Sequence, residues 1–156
     1  MGSSRQTWNK ESWLITNLNC TDDLANLSVD RVSLEAGTLD MGRGEIVLER
    51  QSIALLDGVE VGNTILMEIE GGEEHEYLVV GVYHDSSSLA AGTTRMVSGY
   101  ISMDTLASLG ITTSYANLKI TTDPAYTTRP EIEEAAEAIV KRLEGQGYVI
   151  NGYGVD

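Results

Sequence analysis

The sequence predicts an α+β fold, β-rich with a few short helices and one long helix near the C-terminus. Three observations predict it. Residues 64–70 place Ile65, Met67 and Ile69 on one face and Leu66 on the other, the two-residue period of a strand. Residues 76–84 (Glu-Tyr-Leu-Val-Val-Gly-Val-Tyr-His) form the most hydrophobic segment, as expected of a strand central in a sheet. Ile132, Ala135, Ala136, Ile139 and Leu143 recur at i, i+3, i+4, i+7 and i+11, which is one face of a helix.

The remaining elements follow in order. Residues 12–17 (Ser-Trp-Leu-Ile-Thr-Asn) are rich in β-favouring types and predict a strand. Thr21, Asp22 and Asp23 combine a cap-like residue with acids, so one helical turn is expected through Leu27. Val32 and Leu34 alternate with Ser33 and Glu35, a short half-buried strand ending at Gly37. Gly42-Arg43-Gly44 breaks the chain; residues 45–49 read as a strand and residues 52–56 as a short helix, stopped by Asp57-Gly58. Residues 71–74 (Gly-Gly-Glu-Glu) supply turn chemistry for an antiparallel hairpin between the two clear β runs. Residues 85–94 are a Ser/Ala/Gly/Thr loop, long for a compact domain. Residues 98–101 are a strand, Ser102 caps a helix over 103–109, and Gly110 ends it at the C′ position. Residues 117–121 are a strand and 122–128 a polar loop. Thr128 and Glu131 have capping-box spacing with Pro130 in the first turn, Lys141 and Arg142 lie toward the negative end, Gly145 closes the helix, and residues 148–150 form a last strand.

Composition narrows the function classes. The 156 residues are 42% hydrophobic and 22% charged, a globular profile with enough chain to bury a core. Lys and Arg number 10 against 24 Asp and Glu, a net charge of −14 that repels phosphate backbones and anionic lipid, so no nucleic-acid partner is expected. Cys20, the single cysteine, has no partner for an internal disulfide and cannot build a thiolate metal site alone. The longest apolar run, Tyr77 to Tyr83, has seven residues, far short of the roughly 20 that span a bilayer. The first residues lack the charged-then-apolar layout of a signal peptide. Residues 1–7 read as a disordered, leader-like stretch, and the chain is expected to be a piece of a larger protein.

No motif assembles a catalytic set. The sequence contains no G-x-x-x-x-G-K-[ST], and Gly42-Arg43-Gly44 is too short for a dinucleotide fingerprint and reads as a turn. His75, between Glu74 and Glu76, lacks the i, i+4 partner of a helical zinc site and reads as an exposed turn residue. His84-Asp85 ends the central strand. An aspartate can orient a histidine ring, and a nucleophile from Ser86 to Ser88 would complete a list of parts. Adjacent strand positions point to opposite faces, however, and no G-x-S-x-G elbow is present, so both residues are expected to fix the strand exit. Asp22-Asp23 lies outside any calcium-loop pattern and reads as a solvated turn, and Cys20 as a small packing residue. No catalytic, cofactor-binding or metal-ligating residue is therefore assigned, and no cofactor is expected.

The order of segments resembles a known family. Trp13-Leu14-Ile15-Thr16, Asp22-Asp23, Val32-Ser33-Leu34-Glu35-Ala36-Gly37, Gly44-Glu45-Ile46-Val47-Leu48-Glu49-Arg50 and Val61-Gly62-Asn63-Thr64-Ile65 follow one another. Tyr77-Leu78-Val79-Val80-Gly81-Val82-Tyr83-His84-Asp85, Gly99-Tyr100-Ile101-Ser102-Met103-Asp104-Thr105-Leu106, Leu109-Gly110 and Asn117-Leu118-Lys119-Ile120 continue the series to the closing helix. Together, over residues 12–150, they are similar to the extracytoplasmic region of ABC-transporter permeases of the macrolide-exporter and FtsX-like type.

That resemblance implies a β-rich lobe inserted into a small α/β lobe, outside the membrane and between the first two membrane helices of a permease. Residues 8–121 would be the β-rich lobe and residues 122–156 the returning helix–strand half of the α/β lobe. Nothing before Trp8 matches the outgoing half, so that half is expected to be missing or degenerate, leaving an open sheet edge for a second copy to cover. The implied partners are a cognate ATP-binding subunit acting through the rest of the permease, a second permease copy, and a periplasmic or extracellular protein. The implied role is non-catalytic: the lobes move as near-rigid bodies in response to ATP hydrolysis elsewhere. Two other classes stay open, a free-standing extracellular binding module using the 85–94 loop and a hydrolase using His84.

Overall fold

The computed structural model describes residues 13–27, 29–69, 73–86, 95–111, 120 and 124–155. It divides into two compact units, Met1–Ala116 and Asn117–Asp156. The α+β class holds: six strands form one mixed sheet, accompanied by short helices, and one long helix lies near the C-terminus.

In the first unit the strands are β1 (Thr16–Cys20), β2 (Ser33–Gly37), β3 (Glu45–Glu49), β4 (Thr64–Ile69), β5 (Glu73–His84) and β6 (Val97–Ile101). A 3₁₀ turn (Leu24–Asn26) and the helices α1 (Arg50–Ile53) and α2 (Met103–Ser108) complete it. The spatial order is β1-β6-β3-β5-β2, with β4 also paired to β5. β5 organises the sheet: β4 pairs antiparallel along Glu73 to Leu78, β2 antiparallel along Gly81 to His84, and β3 parallel from Leu78 to Tyr83.

β3 carries the alternation that builds two cores. Ile46 and Leu48 face a cluster with Val59, Ile65, Met67, Tyr77, Val79, Val97 and Ile101, whereas Val47 faces Leu24 and Tyr83 on the opposite side. All three β3 residues are fully buried, as for a strand covered on both faces. Strand β5 changes face part-way. Tyr77 and Val79 join the first cluster but Tyr83, four residues after Val79, joins the second, which an uninterrupted strand could not do. The register explains it: Ile46 pairs with Val79 but Val47 with Gly81, so Val80 is an extra residue, a β-bulge.

Two glycines make room for that bulge. Gly37 pairs with Gly81, and a Cβ on Gly81 would collide with the Thr38 carbonyl oxygen, while one on Gly37 would collide with that of Val80. Gly37 also has φ +71, the left-handed region where an L side chain is strained.

Several expected elements shift. The first strand starts at Thr16 instead of residue 12, because its parallel ladder with β6 begins at Thr16↔Val97; Ile15 is 72% exposed. β2 ends at Gly37 as expected but is exposed at all five residues rather than half-buried, since it is an edge strand. α1 occupies Arg50–Ile53 rather than 52–56, because the Glu49 carboxylate caps it by accepting from the Gln51 N–H at 2.6 Å. α2 starts where expected: Ser102 Oγ accepts from the Thr105 N–H at 3.2 Å, and Gly110 follows with φ +70. The expected strand over 117–121 and most of the 85–94 loop lie outside the described residues.

In the second unit, α3 (Arg129–Gly145) has the expected start: one Glu131 carboxylate oxygen accepts from the Thr128 N–H at 3.0 Å and the Thr128 hydroxyl at 2.8 Å. Those bonds, led by the hydroxyl, hold the Glu131 carboxyl below its ordinary pKa. The helix ends at Gly145 as expected, with Gln146 as its C-cap and Gly147 following at φ +95. Residues 148–150 form no strand; Tyr148 and Val149 are 62% and 84% exposed, with no ladder partner among the described residues.

Candidate functional site

The densest set of chemically capable side chains gathers where β3 and β5 end. Glu49 closes a run of three buried apolar residues and is itself only 2% exposed, an uncommon position for a carboxylate. One of its oxygens is used in capping α1. The other, Oε1, has no hydrogen-bond partner among the described residues and lies 3.7 Å from Nδ1 of His84, which also has none. On the far side of the ring, Nε2 faces the Arg50 guanidinium at 3.5 Å. Arg50 in turn donates to Glu35 of β2 at 2.7 Å. The Ser33 hydroxyl donates to the His84 carbonyl oxygen at 3.3 Å.

Arginine only donates, so a hydrogen bond from Arg50 to the ring requires the lone pair on Nε2. Activation of a protein nucleophile by this ring would need a hydroxyl or thiol at a ring nitrogen. The nearby hydroxyl, Ser33, is directed at the backbone instead. What the arrangement does is tie strands together: β2 through Glu35 and Ser33, α1 through Arg50, β3 through Glu49 and β5 through His84.

The opposite side of the same strand end carries an aromatic pair. Tyr83 and Tyr100 meet edge to face with ring centroids 5.3 Å apart. Burial pushes both phenols above their ordinary pKa, most strongly for Tyr83, which Tyr100, Glu49 and Asp85 push further; Asp85 also raises Tyr100. The Asp85 carboxylate therefore acts on Tyr83, two residues before it in β5, and on Tyr100 of β6, while His84 engages Glu49 and Arg50. The two neighbours serve opposite sides of the strand exit, as their adjacency requires.

The other candidates take structural positions. His75 lies within β5, opposite Met67, and not in a turn; its Nε2 is 3.6 Å from Glu73. Glu73 and Glu74, expected in the hairpin turn, belong to β5, so the strand extends further than its hydrophobic stretch. Asp22 accepts from the Met103 N–H at 3.0 Å, capping α2, and Asp23 accepts from the Asn26 amide at 2.9 Å. Cys20 packs against the larger core cluster, and burial raises its thiol pKa. Gly42-Arg43-Gly44 is a turn anchored from α2: Ser102 and Thr105 hydroxyls donate to the Gly42 carbonyl at 3.3 and 3.4 Å, and the Gly44 N–H donates to Thr105 at 2.9 Å. Ser86 is exposed, and Ser87 and Ser88 lie outside the described residues. A shallow recess of about 290 Å³ opens elsewhere, beside Leu24, Asn26, Leu27, Arg31 and Val32. Among the described residues no group of three or more His, Cys, Asp or Glu side chains converges as a metal site, and no helix is long and apolar enough to cross a membrane.

Sequence reasoning missed Glu49, Arg50 and Glu35. The available signal was an acid directly ending an apolar β run and followed by an arginine, a pattern whose meaning depends on strand order. Comparison of the chain with family models, curated proteins and solved structures finds no match in any of the three.

Proposed function

We propose that this chain is a non-catalytic extracytoplasmic domain of an ABC-transporter permease of the macrolide-exporter or FtsX-like type. In this reading it contacts substrate or a partner protein outside the membrane and relays conformational change driven by a separate ATP-binding subunit. The observation that carries it is the ordered series of segments from Trp13 to the closing helix. The surroundings of His84 favour it over the hydrolytic alternative, because Arg50 and Glu49 occupy the two sides of the imidazole and make it a brace between strands. A mixed sheet with cores on both faces suits a part that moves without deforming, since close-packed interiors transmit displacement rather than absorb it.

The test is topological. Asn17→Cys, at an exposed position of β1, is introduced into the full-length parent protein in a Cys20→Ala background. Labelling of intact cells by a membrane-impermeant maleimide is the expected result, along with apolar spans of roughly 20 residues flanking this region in the parent sequence. Labelling only after lysis, or a parent gene without such spans, overturns the reading; the latter favours a free-standing binding module.

A further inference from the structure

We propose that α3 pairs with α3 of a second copy of the chain, antiparallel, about a twofold axis passing between Glu137 and Ala138. This goes beyond the functional reading above and rests on the helix alone.

The apolar face of α3 consists of Ile132, Ala135, Ala136, Ile139, Val140 and Leu143. These positions are part-exposed, and no residue of the helix is buried. The segment that follows turns back along the helix, with the Tyr148 N–H donating to the Leu143 carbonyl at 3.1 Å and Arg129 donating to the Val155 carbonyl at 3.4 Å. Each of the six apolar positions keeps only a part of its surface exposed.

The face is arranged symmetrically along the helix. Ile132 and Leu143, Ala135 and Val140, and Ala136 and Ile139 each lie equally far from the midpoint between residues 137 and 138. An antiparallel partner centred there sets each alanine level with a branched side chain, the second copy's Val140 or Ile139, so the two surfaces interlock at an even separation. A parallel partner would set alanines against alanines and branched residues against branched residues. That leaves a void at one level and crowding at the next.

Charge selects the same orientation. The first half of α3 holds Glu131, Glu133, Glu134 and Glu137 against Arg129, and the second half holds Lys141 and Arg142 against Glu144. Antiparallel pairing brings the acidic half of each helix beside the basic half of the other and opposes their dipoles. On the rims, Arg142 comes beside the second copy's Glu131, and Arg129 beside the second copy's Glu144. Glu133, on the same rim as Arg129, is already neutralised by it at 2.8 Å.

The experiment uses the full chain with Cys20 replaced by alanine. Light scattering over a concentration series should show a mass rising from 16.9 kDa toward twice that value. Ile132→Cys and Leu143→Cys variants, mixed and oxidised, should form a mixed disulfide dimer, while neither links to itself. Ala136→Glu should weaken association about tenfold or more, by burying a charge at the seam, with helix content by circular dichroism unchanged. A constant mass of 16.9 kDa overturns the proposal. So does self-linking of either single variant, which marks a parallel arrangement, and so does an Ala136→Glu chain that associates as before. The cross-linking arm stands even where Ala136→Glu disturbs folding.

Discussion

His84 Nδ1 and Glu49 Oε1 face each other at 3.7 Å at the end of the sheet, neither with a hydrogen-bond partner among the described residues. The ring's opposite nitrogen meets Arg50, whose guanidinium holds Glu35 on the edge strand. A histidine that looks available for chemistry in the sequence is thus a link between β5, β3, α1 and β2.

The link should be measurable as coupling. Glu49→Ala removes the acceptor for the Gln51 N–H and the carboxylate that faces the imidazole, at a cost of about 1–3 kcal/mol in unfolding free energy. His84→Ala should cost less, because the Glu49 carboxylate keeps its bond to Gln51. A double-mutant cycle by urea unfolding should give a coupling of about 0.5 kcal/mol or more. Simple additivity of the two substitutions would mean that the 3.7 Å approach contributes nothing.

The bulge in β5 depends on close backbone contact between Gly37 and Gly81. Gly81→Ala places a methyl group into the Thr38 carbonyl, and Gly37→Ala adds a strained φ to a similar collision. Each should destabilise by roughly 1–3 kcal/mol or more, seen as a lower denaturation midpoint. Alanine at Gly44, which has φ +77 but open space around it, isolates the conformational component. A loss at Gly37 no larger than that at Gly44, with none at Gly81, would show that backbone strain, and not contact, sets the requirement.

The buried tyrosines make stability fall at high pH. Their phenols are raised above the ordinary value of 10.0 in the folded chain, so the folded state holds protons that the unfolded state releases. The contribution is complete below about pH 10 and is lost progressively as pH rises above it. Tyr83→Phe should flatten that decline and remove the latest component of the tyrosinate absorbance titration. A decline of the same slope in Tyr83→Phe would assign the alkaline loss to other groups.

Local patterns were legible where local physics decides. The alternation of Ile65, Met67 and Ile69, the Ser102 cap and the Thr128/Glu131 start of α3 each depend on residues within a few positions of one another, and each falls where the pattern placed it. The edge position of β2 was not legible, because Val32 and Leu34 alternate as they would in a covered strand. Only the order β1-β6-β3-β5-β2 leaves Leu34 49% exposed. Residues 148–150 show the same limit: Tyr-Val-Ile favours an extended chain, but a strand exists only where another strand offers its backbone.

From the amino acids alone came the α+β class, the long amphipathic helix, the central apolar strand and the absence of any phosphate-loop or nucleophile-elbow motif. Tertiary structure decided what His84 does, which acid it meets, and which face each half of β5 presents. The physical reason is range. Helix caps and hydrophobic periods are set by neighbours in the chain, whereas the pairing of Glu49 with His84, 35 positions apart, follows from a parallel register and from one extra residue at Val80 that no local preference encodes.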